Sequence, residues 1–389
     1  MKISVIIGKW VRKTYMHMCY ITRPRKEKAV FFASFRGQYS DNPRAISECL
    51  HRMAPEVRIV WLVKPQFKQY VPDYVVTVPP KLRFVLKAQA QAQVWVMNYV
   101  YRKQLGVYKG RDNFFIQTWH GDRGLKTIGS LTTYGKKHYH DTYEISHCDL
   151  FVAASDYGVK KARQALLYEG DVIVDGMPRN DKLVCINKYS DEVNKIRKIL
   201  GIGDDVKVML YAPTYRDDKR SQQCMIDIPA SMSSLSKNGD KWICLVRYHS
   251  LSKGISVNSD KSVCMDVTSY PDMADLLLVA DLLITDYSSS AGDFLLTGKP
   301  VVLAHFDRSD YEAQGRSLWV NPEEAGYLVA NNQDELNKIL SNLNSYNQQA
   351  IADKINRFYG TKETGHASET IARKIIEVLK YTNHQSLIR

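Results

Sequence analysis

No apolar run in this sequence approaches the ~20 residues a helix needs to span a bilayer, so an integral membrane protein is not expected. Nor does the N-terminus have the apolar core and small-residue cleavage site of a signal peptide, because Lys9, Arg12 and Lys13 interrupt it. Seven cysteines (19, 49, 148, 185, 224, 244, 264) are odd in number and widely spaced, with no CxxC pair and no Cys/His group at zinc spacing. They read as reduced, mostly buried cytosolic thiols. Internal repeats and low-complexity tracts are missing too. No DxD-type pair stands at a predicted strand end, since Asp204-Asp205 and Asp217-Asp218 fall in predicted surface loops. Catalysis without a protein-bound metal, and with no cofactor, is therefore the expectation. Acidic residues are the minority, 41 against 54 Lys and Arg, giving a formal charge of +13 over 389 residues. That balance implies an anionic partner: nucleic acid, a lipid head-group surface or a phosphate-rich substrate.

The most informative stretch is LLLVADLLITDYSSSAGDFLLTGKP, residues 276–300. An apolar run ends in Thr285-Asp286-Tyr287 and three serines open a second apolar segment, the pattern of a buried parallel strand turning into a helix. Unpaired N–H groups and the hydroxyls of Ser288, Ser289 and Ser290 would then converge where a phosphate can sit. Ordinary serine capping is the alternative.

The remainder follows in order. Residues 2–21 project as a helix with Ile3, Ile6, Ile7, Trp10, Val11, Met18 and Ile21 on one side and Lys2, Lys9, Arg12 and Lys13 on the other, followed by Arg23, Arg25, Lys26 and Lys28. Such a helix suits an anionic membrane surface; packing on its own domain is the other reading. Strands are predicted at 29–35, 57–63, 92–98, 114–120, 149–155 and 171–177, with helices at 43–53 and 81–93. A helical passage at 190–200 precedes a second strand series at 207–216, 242–250, 262–268, 281–285 and 300–306, and a long helical stretch fills 335–381. Alternating short strands and helices predict doubly wound parallel sheets with ligands at the strand ends. The expected division is a basic amphipathic helix at 1–28, a domain at 29–187 and a second at 188–389.

Two histidines close predicted strands, His120 in QTWHG and His249 in RYHS. An imidazole with a pKa of about 6.5 can accept or donate a proton near neutrality, although a lone histidine can equally be a packing or capping residue. Arg123, Lys126, Arg179, Arg216 and Arg247 also lie near strand ends, where together they could clamp a pyrophosphate.

The segments YSDNPRAI (39–46), IQTWHGD with LKTIG (116–129), GMPRND (176–181), LYAPTYRD (210–217), LVRYH (245–249), ITDYSSSAGDFLLTGKPVV (284–302) and KETGHASE (362–369) resemble, in the same order, motifs of the CDP-glycerol glycerophosphotransferase family of teichoic acid primases and polymerases. The resemblance covers about residues 30–370. It implies a GT-B fold, two Rossmann-like doubly wound domains facing an inter-domain cleft, and transfer of an alditol phosphate, glycerol phosphate in the first instance, from a CDP-alditol to a hydroxyl of a lipid-linked or cell-surface glycan, with release of CMP. It further implies catalytic roles for His120 and His249. Donor-binding positions carried over are Gly121, Asp122, Arg123, Gly124, Arg179, Pro213, Thr214, Arg247, Tyr248, Ser288, Ser289 and Asp293. The family often reads HGTPLK where this chain has HGDRGLK, a departure on the acceptor side. The lack of a long extra N-terminal region favours a primer-type or capsule-modifying transferase at the cytoplasmic face of the membrane, bound peripherally.

Two rivals are distinguishable. A GT-B glycosyltransferase using a nucleotide-diphosphate sugar shares the fold, and fold alone does not decide chemistry. A nucleic-acid-binding protein would interleave aromatics with Lys and Arg on repeated strands; this chain does not, so no nucleic-acid partner is expected.

Overall fold

Near-continuous apolar runs such as those at 30–32, 59–62 and 94–97 suit a sheet covered on both faces, as in a parallel sheet flanked by helices. A computed structural model describes residues 3–22, 28–99, 109–110, 113–132, 145–214, 216, 224–237, 239–248, 263–313 and 317–386, and places these runs in that way. The chain forms two compact units. One comprises Met1–Asp122, Lys136–Asp181 and Lys362–Arg389; the other comprises Arg123–Gly135 and Lys182–Thr361. Relative to the sequence-based division, the N-terminal helix and everything from Lys362 onward join the first unit, and 123–135 joins the second.

The first unit contains helix α1 (Ile3–Thr22), β1 (Ala29–Ala33), α2 (Asp41–Met53), β2 (Arg58–Leu62), β3 (Val76–Val78), α3 (Leu82–Gln91), β4 (Val94–Met97), β5 (Phe114–Gln117), β6 (Leu150–Ala153), α4 (Asp156–Gln164) and β7 (Asp171–Val174). Its sheet runs β3-β2-β1-β4-β5-β6-β7 with parallel pairing. The order reverses between β1 and β4, the switch point where such sheets bind ligands. Helix α2 carries Pro43 in its first turn, where a missing N–H goes unnoticed, and buries Ile46, Cys49 and Leu50.

The second unit contains α5 (Ser190–Leu200), β8 (Val206–Ala212), α6 (Ile228–Ser236), β9 (Lys241–Val246), β10 (Cys264–Asp266), α7 (Met273–Val279), β11 (Leu282–Thr285), α8 (Ser290–Phe294), β12 (Val301–Ala304), β13 (Leu328–Ala330), α9 (Gln333–Ser341) and α10 (Gln348–Tyr359). Its sheet order, β10-β9-β8-β11-β12-β13, reverses between β8 and β11. The stretch at 335–381 is three helices rather than one. Asn347 caps α10, Gly360 ends it at φ +60, a conformation suited to glycine, and α11 (Ala367–Ser386) starts afresh. Helix α11 returns to the first unit, packing on α2 and placing Ile371, Ala372, Ile375 and Leu379 in its core.

Helix α1 packs against α3, and its Met16 and Cys19 are buried. Tyr20 secures it by donating to Asn113 Oδ1 at 2.6 Å and accepting from the Gly110 N–H at 2.9 Å. Trp10, Val11, Met18 and Ile21 face outward. The side chains of Lys2, Ile3, Ile6, Ile7, Lys9 and Arg12, and residues Arg23, Arg25 and Lys26, lie outside those described. No helix among the described residues is long and apolar enough to cross a membrane.

Candidate active site

In the first unit, β5 stops at Gln117, and the sheet ladder is extended by one bond from the Thr118 N–H to the Met97 carbonyl. Trp119 then takes φ +50, an uncommon conformation for a non-glycine residue, and turns His120 out of the strand. Asn42, fully buried at the start of α2, holds this turn by donating to the Trp119 carbonyl at 3.1 Å. Arg179 supports it from the other direction. Its backbone N–H donates to Asn42 Oδ1 (3.1 Å), Nη1 meets Asp41 Oδ1 (3.1 Å), and Nη2 donates to the His120 carbonyl (3.2 Å). Asn98, at the end of β4, presents its carbonyl 2.8 Å from His120 Nδ1, while its side chain is tied to Phe35 N and Ser34 Oγ at the end of β1.

A carbonyl only accepts, so Nδ1 carries the ring proton and Nε2 the lone pair. The imidazole is half-buried among Phe35, Tyr99 and Trp119. In its neutral form, a histidine with its basic nitrogen set by a backbone contact at a sheet switch point is fitted to take a proton. On either side of Arg179, Glu363 accepts from the Met177 N–H (2.9 Å) and from Asn180 Nδ2 (2.7 Å). Gly176, at φ +120, lies so close to Glu363 that a Cβ there would come within 2.7 Å of Oε2.

The residues after His120 divide between the units. Gly121 offers its carbonyl to Lys161 Nζ at 3.3 Å, and Asp122 is buried against the start of α4. Arg123, 1 % exposed, belongs to the second unit, where Nη2 lies 3.4 Å from Asp293 Oδ1. Gly124 follows, buried, and the Leu125 carbonyl accepts from the Trp319 N–H at 2.8 Å.

In the second unit, Pro213-Thr214 and Asp286-Tyr287-Ser288 leave the adjacent strands β8 and β11. The Asp286 carboxylate accepts the Thr214 N–H at 2.8 and 3.0 Å and the Tyr287 N–H at 2.6 Å, drawing both loops together. Arg216 fixes that carboxylate. Nη2 meets Asp286 at 2.8 Å, Nε and Nη2 meet Asp307 at 2.8 and 3.1 Å, and Nη1 donates to the Thr214 carbonyl at 2.7 Å. Tyr287 and Tyr311 lie against its guanidinium. Burial alone would lower the Arg216 pKa, but the two carboxylates outweigh it and raise it. Arg216 is thus a strut inside its own unit, not the pyrophosphate clamp its position in the sequence suggests. Thr214 Oγ1 is buried without a hydrogen-bond partner among the described residues.

Ser288 Oγ accepts the Ser290 N–H at 3.3 Å and pairs with Ser290 Oγ at 3.0 Å. Helix α8 has only five residues before a 3-10 turn at Leu295–Thr297, shorter than the serine pattern suggests. Arg247 donates to the Tyr270 carbonyl at 2.7 Å, and burial lowers its pKa. Tyr248 is packed in the core of the unit. His249 lies outside the described residues. Asp41, Asn42, Asn98 and Glu363 are site residues that the sequence reading did not single out, although 41, 42 and 363 fall in segments quoted above.

Comparison with known proteins bears on the family and the fold. A sequence model of the family described as CDP-Glycerol:Poly(glycerophosphate) glycerophosphotransferase matches residues 15–377. The chain is 30 % identical over 376 residues to the teichoic acid poly(glycerol phosphate) polymerase of Staphylococcus epidermidis, covering 91 % of this chain and 51 % of that one, so it spans about half the length of that relative. It is 29 % identical over 401 residues to the teichoic acid glycerol-phosphate transferase of Staphylococcus aureus, covering 96 % and 100 %. Among solved structures, the wall teichoic acid polymerase TagF superposes with a TM-score of 0.83 at 27 % identity, covering 98 % of this chain and 100 % of that one. The fold is GT-B, with two Rossmann-like α/β units.

Proposed function

Because this chain belongs to the CDP-glycerol:poly(glycerophosphate) glycerophosphotransferase family, we propose that it transfers glycerol phosphate from CDP-glycerol to a hydroxyl of a glycan or polymer acceptor and releases CMP. The observation that carries the proposal is the His120 ring, whose Nδ1 is held by the Asn98 carbonyl at 2.8 Å. Nε2 takes the proton of the acceptor hydroxyl as its oxygen attacks the glycerol-bearing phosphorus. The bond from that phosphorus to the bridging oxygen breaks, and CMP leaves with the electron pair. The second unit holds the donor, with the hydroxyls of Ser288 and Ser289, and Thr214 Oγ1, which has no partner among the described residues, given to phosphate or ribose oxygens, and Pro213 shaping the loop. His249 is the second essential histidine of this scheme.

The acceptor is lipid-linked, and the enzyme works at the cytoplasmic face of the membrane as a peripheral protein. The outward Trp10, Val11, Met18 and Ile21 of α1 support this reading, because aromatic and aliphatic side chains of that kind enter the interface while nearby basic residues meet anionic head groups.

The test is CMP release by purified protein given CDP-glycerol, CDP-ribitol and UDP-sugars with a lipid-linked acceptor. CDP-glycerol is expected to be preferred, and His120→Ala to lower turnover about 10²–10⁴-fold, the usual contribution of a positioned base. Preference for a UDP-sugar would return the chain to the glycosyltransferase alternative.

A further inference from the structure

Asp122 stands two residues from the proposed base, in the stretch where this chain departs from the HGTPLK pattern, and its surroundings are protein. Its carboxylate accepts the Ala154 N–H at 2.9 Å and the Ser155 hydroxyl proton. Ser155 is the N-cap of α4, and its oxygen accepts the Gly158 N–H at 2.8 Å. The single Ser155 proton therefore goes to Asp122 while its lone pair caps the helix, so loop and helix are joined through one hydroxyl. Gly158 makes room for the carboxylate, since a Cβ there would lie 1.7 Å from Asp122 Oδ2. One turn further along α4, buried Lys161 reaches back to the Gly121 carbonyl at 3.3 Å. Both residues after His120 are thereby fastened to one helix of the same unit.

We propose that Asp122 is a positioning residue for His120, a carboxylate that locks the His120-Gly121 turn onto α4 through Ser155 and the Gly158 gap, and not a ligand of the donor. The inference rests on the reading of His120 as base. If the turn is released, the imidazole leaves the Asn98 carbonyl, and displacement of a reacting group by about 1 Å can lower a rate by about 10²-fold. Donor affinity is unaffected, because the carboxylate faces α4.

The test is a double-mutant cycle on the full chain, read by CMP-release kinetics and by 15N shifts of the His120 ring. Asp122→Ala is expected to lower kcat about 10- to 100-fold with the KM for CDP-glycerol within about twofold. Gly158→Ala, which removes no polar group, should do the same by pushing the carboxylate out. Combined with Asp122→Ala it should cost nothing further, since the clash is gone, a coupling that independent sites would not show. In the wild type the ring should report Nδ1–H, and in either single variant a mixture of tautomers. If Asp122→Ala does not fold, Ser155→Ala carries the same kinetic and 15N readouts, with a smaller expected loss of kcat. A raised KM at unchanged kcat, equal Gly158→Ala losses in both backgrounds, or a ring unchanged in the variants would each overturn the inference. A wild type that releases no CMP from any CDP-alditol would instead overturn the function on which it rests, and the 15N readout tells the two failures apart.

Discussion

Arg216 is surrounded by two carboxylates and two phenol rings at 3 % exposure, which determines what its loss would do. Replacing one partner of a buried ionic cluster leaves the other charges uncompensated, a loss of about 3–5 kcal/mol. Arg216→Ala is therefore expected to lower the urea midpoint of unfolding markedly. Arg216→Lys should recover only part of it, because an ammonium cannot reproduce the fork to Asp286 and Asp307; an unchanged midpoint in the alanine variant would refute the strut. His305 sets a pH dependence in the same unit. Burial holds its pKa below the ordinary value of about 6.5, partly opposed by the hydrogen bond to the Asp286 carbonyl. Below about pH 6.5 the unfolded chain binds a proton that the native state resists, so the stability present above that pH falls as pH drops towards the folded pKa. Thermal melts from about pH 7.5 to about pH 5 should show a steeper decline in the wild type than in His305→Asn. At this scale the sequence put forward His120 and Ser288 as candidates, and Thr214 through the family resemblance, but not the groups packed around them. Asn98, Asn42 and Glu363 act across separations of 22, 137 and 186 residues, and an isolated asparagine or glutamate carries no sign of a partner that distant.

Elements were more legible where burial is two-sided. The strand runs at 29–33, 59–62, 94–97 and 282–284 appear as uninterrupted apolar blocks because both faces are covered. Strands β3 and β13, three residues each, are too short to produce a periodic signal, and the breaks within 335–381 are set by caps and a left-handed glycine that hydrophobic periodicity does not register. Helix α1 packs on its own unit, as one of the two sequence readings expects, and the membrane-surface reading rests on its other side. The helix buries Met16 and Cys19 and also shows an outward apolar side, so deleting it would confuse folding with binding. Trp10→Glu combined with Ile21→Glu changes only the outward side. This variant should keep its melting temperature and remain in the supernatant when spun with anionic vesicles that pellet the wild type; equal pelleting would remove the membrane role. Helix α11 is the opposite case. Ile375 is wholly buried in the core of the first unit, and Ile375→Ala should destabilise it by about 2–5 kcal/mol, measurable by denaturant titration.

Over the whole molecule, the boundary between units could not be read from composition, because neither unit is a single continuous segment. The sequence holds no cue that 123–135 belongs with the unit that resumes at Lys182, whereas the helical stretch at 335–381 is long enough to pack back on the first half. The consequence of α11 completing the first core reaches into synthesis. On the ribosome the strands of the first unit emerge early, yet Ile371, Ala372, Ile375 and Leu379 are translated only after the whole of 182–361. The half made first must wait, with an apolar face uncovered, while the half made second can close its own sheet. Vectorial translation and the order of structural completion therefore run in opposite directions.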